Sequence, residues 1–471
     1  MFLFLVLLFS SIFATTPRIS GFFVQPSLVY GAVGWNQQGN AVFDSQDAYN
    51  AWVASMADVG GEDLFWQWSV RYEADQEWFS REWGGPSSAD FAYFPISSTT
   101  LSGIETQRWT DPTNWPGSDV SPLERTLAAC EKAGVNLWIG LYVNEHPDSY
   151  NWWRVVGSNG IDQRDSAIVE YHIERSIQVA QEILHAYGDH DAFQGIYISP
   201  ELPNLGFMNR EDWDYAAYML ERITRAVRDI RPETKISISP FFNTDLTSPE
   251  EYGDFWEHLL RTADIDVLIP QDGVGVSPHT LHGERDMVSP FLAELQRAAS
   301  TTKTSFWVNC ELFTNEGTRE TPRFVPTDME TFQKQLSVAG VYAERIVSFS
   351  FRYMDPNPSH EFPAGTWLGD TEEGGELRRA LWDAYQTYVE DAETTLGETA
   401  QGSPTICRKE YVAAGASQIR IFTSCGRLVR EQSSMKVGEE DVQALMPQNA
   451  RVYFVEWSGR NGKYVERRYG R

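Results

Sequence analysis

Basic side chains are scarce in this chain of 471 residues: 38 Lys and Arg stand against 66 Asp and Glu, a formal net charge of −28 at pH 7. Nucleic acid is held by neutralising its phosphates, so this balance excludes it as a partner and disfavours anionic membrane surfaces. Long apolar runs are also missing, with one exception at the start. Phe2 to Phe9 is unbroken and continues through Ile12, Phe13 and Ala14, after which the chain turns polar at Thr15. That is too short to cross roughly 30 Å of hydrocarbon. It matches the apolar region of a signal peptide, although no Lys or Arg precedes it, and it assigns residues 1–15 to a cleaved leader. The expected mature protein is secreted, soluble and free of the membrane. No Asn-x-Ser/Thr sequon without an intervening proline occurs, so N-glycosylation lends this reading no support.

Cysteine is limited to four residues, which allow three pairings. Cys130 falls in a helical pattern and Cys310 in a strand pattern, and both read as buried thiols. Cys407 and Cys425 share one segment and suit a bridge in an oxidising compartment, worth on the order of 3 kcal/mol. The eight His residues are scattered, and His279 with His282 reads as a loop pair. There is no His-x-His on the first strand, no Ser-His-Asp arrangement and no Gly-rich phosphate loop, so neither metal nor cofactor is expected.

What is abundant is aromatic: 17 Trp, 20 Tyr and 26 Phe, within an ordinary globular composition of 42% hydrophobic and 22% charged residues. Apolar runs rich in β-branched and aromatic residues alternate with segments of helical period. The runs are Gly21–Pro26, Asp63–Val70, Leu137–Asn144, Gln194–Ser199, Lys235–Phe242, Ile265–Gln271, Ser305–Cys310 and Arg345–Phe351. The helical stripes include Ile173, Ile177, Ala180, Leu184 and Tyr187, and later Ala216, Leu220, Ile223, Val227 and Ile230. Ser121-Pro122-Leu123-Glu124 carries the cap, proline and glutamate of a helix start. Eight strands, each followed by a helix, are the count of an α/β fold closed as a (β/α)8 TIM barrel, here expected over residues 16–392. An open doubly wound sheet is the rival. A polar linker is expected at 393–404, then a small β-rich module at 405–471 holding 12 basic and 7 acidic residues, which leaves the rest of the chain at −33.

In such a barrel the chemistry sits just past the C-terminal ends of the strands. The polar residues there are Gln25, Gln67 with Trp68, Asn144 and Glu145, Glu201, Asn243 and Asp245, Gln271 and Asp272, Asn309 and Glu311, then Arg352, Tyr353 and Asp355. Amides and carboxylates dominate. Two facing carboxylates suit glycosidic cleavage, since the leaving oxygen needs a proton and the cationic carbon a negative partner. Glu201 and Glu311 form the best such pair. Asp272 competes as a turn residue, as the base of an inverting mechanism, or as a partner for sugar hydroxyls.

Glu at the ends of strands four and seven resembles the arrangement of clan A retaining glycosidases, although Pro200 stands where those enzymes usually carry Asn. From about Ile19 to Asp355 the chain is also similar to a family of secreted barrels, domain of unknown function 4434, with a suspected relation to glycosidases. Ile198-Ser-Pro-Glu-Leu202, Ile238-Ser-Pro-Phe-Phe242, Pro270-Gln-Asp-Gly-Val-Gly275 and Asn309-Cys-Glu-Leu-Phe313 carry the likeness. The resemblance implies Glu311 as ionised nucleophile and Glu201 as protonated acid, its pKa raised by burial and by the neighbouring charge.

Two long insertions on the same rim hold Trp78, Trp83, Trp109 and Trp115, then Tyr150, Trp152 and Trp153. Such rings stack on the faces of pyranoses, or else pin the loops to the barrel. The expected function is hydrolysis of an extracellular poly- or oligosaccharide, neutral or weakly charged, with Gln25, Gln67, Trp68, Asn144, Glu145, Asn243, Gln271, Asp272, Asn309, Arg352 and Tyr353 contacting substrate. A catalytically silent carbohydrate-binding barrel and a structural or adhesive secreted protein are the alternatives.

Overall fold

The structure, a computed structural model, describes residues 16–25, 45–73, 89–96, 104–105, 120–144, 166–204, 210–318, 323–357, 372–401, 416–423, 428–437, 452–459 and 462–469. The leader, Trp78, Trp83, Trp109, Trp115, Tyr150, Trp152, Trp153, Glu145, Cys407 and Cys425 lie outside these residues.

Eight parallel strands close into a barrel: β1 Ile19–Val24, β2 Asp63–Trp66, β3 Asn136–Gly140, β4 Phe193–Ile198, β5 Lys235–Ile238, β6 Val267–Leu268, β7 Ser305–Glu311 and β8 Arg345–Phe349. Closure is made where β1 pairs with both β2 and β8, with Phe22 opposite Leu64 and Ser348. Eight helices follow them, α1 Gln46–Asp58, α2 Pro122–Ala133, α3 Ser166–Tyr187, α4 Arg210–Ile230, α5 Pro249–Thr262, α6 Ser289–Thr302, α7 Met329–Tyr342 and α8 Glu372–Gln401. The expected strand-and-helix alternation is thus present, and the open sheet is excluded.

Side chains of alternate residues on each strand point inward. The lumen so formed is filled with rings: Phe23 stacks on Phe65 at 4.6 Å and Phe65 on Trp138 at 5.5 Å, while Trp307 meets Trp138 edge-on at 6.1 Å. These side chains are at most 7% exposed, so the lumen is a packed floor and no channel. Below it, Arg345 ties β8 to β2 through Asp63 at 2.6 Å and Glu62 at 2.9 Å, with its guanidinium over the Trp307 ring. Asp63 also accepts from the Trp138 indole N–H at 3.1 Å.

Local chemistry fixes the helix starts. Ser121 accepts from the Glu124 N–H while Glu124 accepts from the Ser121 N–H at 2.8 Å, the reciprocal cap that the sequence announces. Ser121→Ala is expected to lower unfolding free energy by about 1 kcal/mol in urea titration. Ser248 caps α5 by accepting from the Glu251 N–H, and Asp328 caps α7 by accepting from the Thr331 N–H.

The chain divides into two compact units, Ile19–Tyr385 and a second made of Met1–Arg18 with Gln386–Arg471. Helix α8 runs on to Gln401, through most of residues 393–404. The second unit holds a four-stranded antiparallel sheet, Ala416–Thr423, Leu428–Val437, Val452–Gly459 and Gly462–Tyr469, with Gly459 paired to Gly462. Cys130 and Cys310 are buried free thiols, as their patterns imply.

Candidate active site

Glu311 is the last residue of β7 and is 3% exposed. Trp307 belongs to the lumen, so period-two alternation turns Asn309 and Glu311 inward above it and sends Cys310 outward. The Glu311 carboxylate is received by main-chain amides of the loop after β6: Val276 N–H donates at 3.0 Å and Gly275 N–H donates as well. Gly275 cannot carry a side chain, because a Cβ there would lie 2.5 Å from the Phe313 carbonyl and 2.9 Å from the Glu311 carboxylate. Gly275→Ala is expected to cost about 1–3 kcal/mol of stability in thermal unfolding, through forced backbone displacement. The turn itself uses Gly273 in the left-handed region, at φ 68°.

Asp272, also 3% exposed, lies behind this carboxylate. One of its oxygens accepts from the N–H of Val274 at 3.2 Å and of Glu311 at 3.3 Å, and the other from Gln335 Nε2 at 2.8 Å. Both oxygens are therefore engaged within the protein. Burial pushes the Asp272 carboxyl up to about 6 against these donors. Glu311 is pushed further, to about 8, by burial first and then by the charge of Asp272, with Glu201 adding to it and the two amides opposing. Burial and the charge of Asp272 thus both favour the protonated form of Glu311, whereas the resemblance implies the ionised one.

Glu201 follows β4 and is half-buried. Gln271 Nε2 donates to its Oε1 at 3.0 Å and to the Ser239 carbonyl at 3.2 Å. Gln271 in turn pairs as an isolated bridge with Asn309, whose Nδ2 donates to Ser239 Oγ at 3.4 Å. The loop behind Glu201 is pinned by Asn204, which donates to the Asn243 carbonyl and to Thr247 Oγ1, both at 2.8 Å, and accepts from the Asn243 N–H at 2.9 Å. Among the described residues, no cluster of three or more His, Cys, Asp or Glu is arranged to hold a metal ion.

The family described as a domain of unknown function, DUF4434, matches residues 19–361. The chain belongs to that family. No curated protein matches it in sequence. Among solved structures, a candidate α-L-fucosidase of Bacteroides thetaiotaomicron shares 17% identity and a TM-score of 0.51, over 80% of this chain and 96% of its own. An endo-β-1,4-mannanase of Thermotoga petrophila gives 11% and 0.45, over 97% and 98%. At these identities the first likeness speaks to the fold alone.

The DUF4434 barrel brings Glu201, Gln271, Asn309 and Glu311 into one polar layer above the rings, with Asp272 behind Glu311 on the side of α7. Gln67 is buried at the end of β2, its Oε1 without a hydrogen-bond partner, and Gln25 is half-buried at the end of β1. Trp68 is buried with Arg71 4.4 Å over its ring, and Asn243 Oδ1 accepts from the Asp245 N–H at 2.9 Å, closing its own turn. Tyr353 is buried against Phe313, and Arg352 lies over the Tyr353 ring. Asn144 ends the short strand Tyr142–Asn144.

Gln335 and Ser239 are the site residues that the strand-end survey of this DUF4434 chain passes over. Gln335 sits on α7 in the inward stripe Phe332, Gln335, Leu336, Ala339, a polar residue at a core position. That misfit was the available signal. Ser239 precedes a proline in an apolar run and carries no comparable mark.

Proposed function

We propose that this protein is a secreted glycoside hydrolase acting on a neutral or weakly charged poly- or oligosaccharide, with Glu201 and Glu311 as its working carboxyls. The observation that carries the reading is that these two residues, 110 positions apart in the sequence, share one layer, linked through Gln271 and Asn309 and close enough for the charge of Glu201 to act on Glu311. Two carboxylates in such a layer share a proton more readily than both ionise. The reactive complex requires that proton on Glu201, facing the glycosidic oxygen. The cationic carbon forming beside Glu311 favours this placement, because positive charge stabilises the ionised carboxylate. In the retaining course the Glu201 proton passes to the departing oxygen as Glu311 bonds the anomeric carbon, then water displaces Glu311 from that carbon and returns a proton to Glu201. The Phe2–Phe9 run supports export.

The experiment is a hydrolysis screen over a polysaccharide panel with the full-length mature protein, run beside Glu201→Gln and Glu311→Gln. Activity abolished by both substitutions is expected, and activity that survives both refutes the assignment. Glycan binding with no hydrolysis, unaffected by Glu201→Gln, would identify a silent carbohydrate-binding barrel instead. The anomer first released, followed by NMR, separates retention from inversion.

A further inference from the structure

Resting on the carboxyl pair just proposed, we propose that Asp272, gripped by Gln335 of α7, is the positioning residue of Glu311, fixing its main chain and placing a second negative charge behind its carboxyl. Asp272 accepts from the Glu311 N–H at 3.3 Å, while Gln335 Nε2 donates both to Asp272 at 2.8 Å and to the Glu311 carbonyl at 3.0 Å. One helix side chain thus holds both halves of the peptide framework around Glu311. All three residues are 3% exposed or less, so water does not compete for these bonds. Each Asp272 oxygen is committed inside the protein, which removes it from contact with sugar and from service as a base.

The ionisable groups around Glu311 come from three strands. Asp272 follows β6, Glu201 follows β4 beside the Tyr197 phenol, and the Cys310 thiol on β7 bonds to Asp272. Burial holds the thiol and the phenol in their neutral forms, so the charge behind Glu311 is that of Asp272. The carboxyl is consequently fixed in direction and disposed to keep its proton until positive charge develops in front of it. Asp272 acts through Glu311 and touches no substrate.

The test uses full-length protein labelled with carboxyl-13C glutamate and aspartate, titrated by NMR, with Glu311 and Asp272 assigned by loss of their signals in Glu311→Gln and Asp272→Asn. In the wild-type protein Asp272 is expected to titrate first and Glu311 near pH 8. Asp272→Asn keeps the acceptor for the two amides and removes the charge, so the Glu311 midpoint should fall by at least about one unit, a tenfold loss of proton affinity. Gln335→Leu should raise the Asp272 midpoint and lower that of Glu311. A structural brace alone would leave these midpoints where they are. A wild-type Glu311 titrating in the ordinary carboxylate range overturns the proposal without any variant, and so does a Glu311 midpoint unmoved by Asp272→Asn. No substrate enters this measurement, so failure of the glycosidase reading shows in the hydrolysis screen and failure of the positioning role shows here.

Discussion

Glu201→Gln and Glu311→Gln are each expected to reduce kcat/KM on a natural glycan by about a thousandfold or more, the scale at which a placed acid or a charged partner at the reacting carbon contributes. The two losses should differ in kind. An acid is needed only where the leaving oxygen is poor, so an aryl glycoside whose phenolate departs unaided should keep most of its rate in Glu201→Gln. Glu311→Gln should lose activity on both substrates, because the amide cannot face the cationic carbon as a negative charge. The opposite pattern would assign the acid to Glu311, whose carboxyl is pushed above its ordinary range by burial and by Asp272. Gln is the right replacement in both places: it keeps the shape, and it retains an oxygen to accept from Val276 N–H.

The second large effect is on stability and needs no substrate. Glu311 is raised from 4.5 to about 8 in the folded protein, and Asp272 from 3.8 to about 6. A group whose folded pKa lies above its unfolded value binds more protons when folded, so its contribution is fully present below the unfolded pKa and is lost as pH rises through the folded one. The wild-type protein should therefore become less stable from about pH 4 to past pH 8. Most of the loss should lie between pH 5 and pH 8, where Glu311 must ionise in a closed pocket. Glu311→Gln removes this term. Its melting temperature should exceed that of the wild type above pH 8 by several degrees, corresponding at most to about 5 kcal/mol. Below pH 5 the advantage should vanish. A variant that melts below the wild type at alkaline pH would mean that Glu311 is ionised at rest.

The barrel was legible because its signals are local and repeated. The stripe from Ile173 to Tyr187, the reciprocal cap at Ser121 and Glu124, and the glycine ending α2 each declare an element, and eight such pairs leave few architectures. Burial of the lumen rings was legible in part, since alternation separates inward from outward positions but gives no register between strands. The site was legible as a rim of strand-end polar residues, and Glu201 with Glu311 stood out from it. What stayed hidden depends on contacts across the fold. Asp272 reads in sequence as a turn carboxylate open to a ligand, and only the approach of Gln335 from α7 and of the Glu311 N–H shows that its oxygens are occupied. Thr and Gly in Glu393–Gln401 are poor helix formers and read as linker in sequence, while helix α8 continues through them.

The origin of the groups around Glu311 bears on how such a protein can diversify. Gly275 and Val276, Asp272 and Gln335 come from the segments around β6 and α7, whereas the long insertions that follow β2 and β3 supply none of its hydrogen bonds among the described residues. Changes in those insertions therefore leave the hydrogen bonds that hold the Glu311 carboxyl in place.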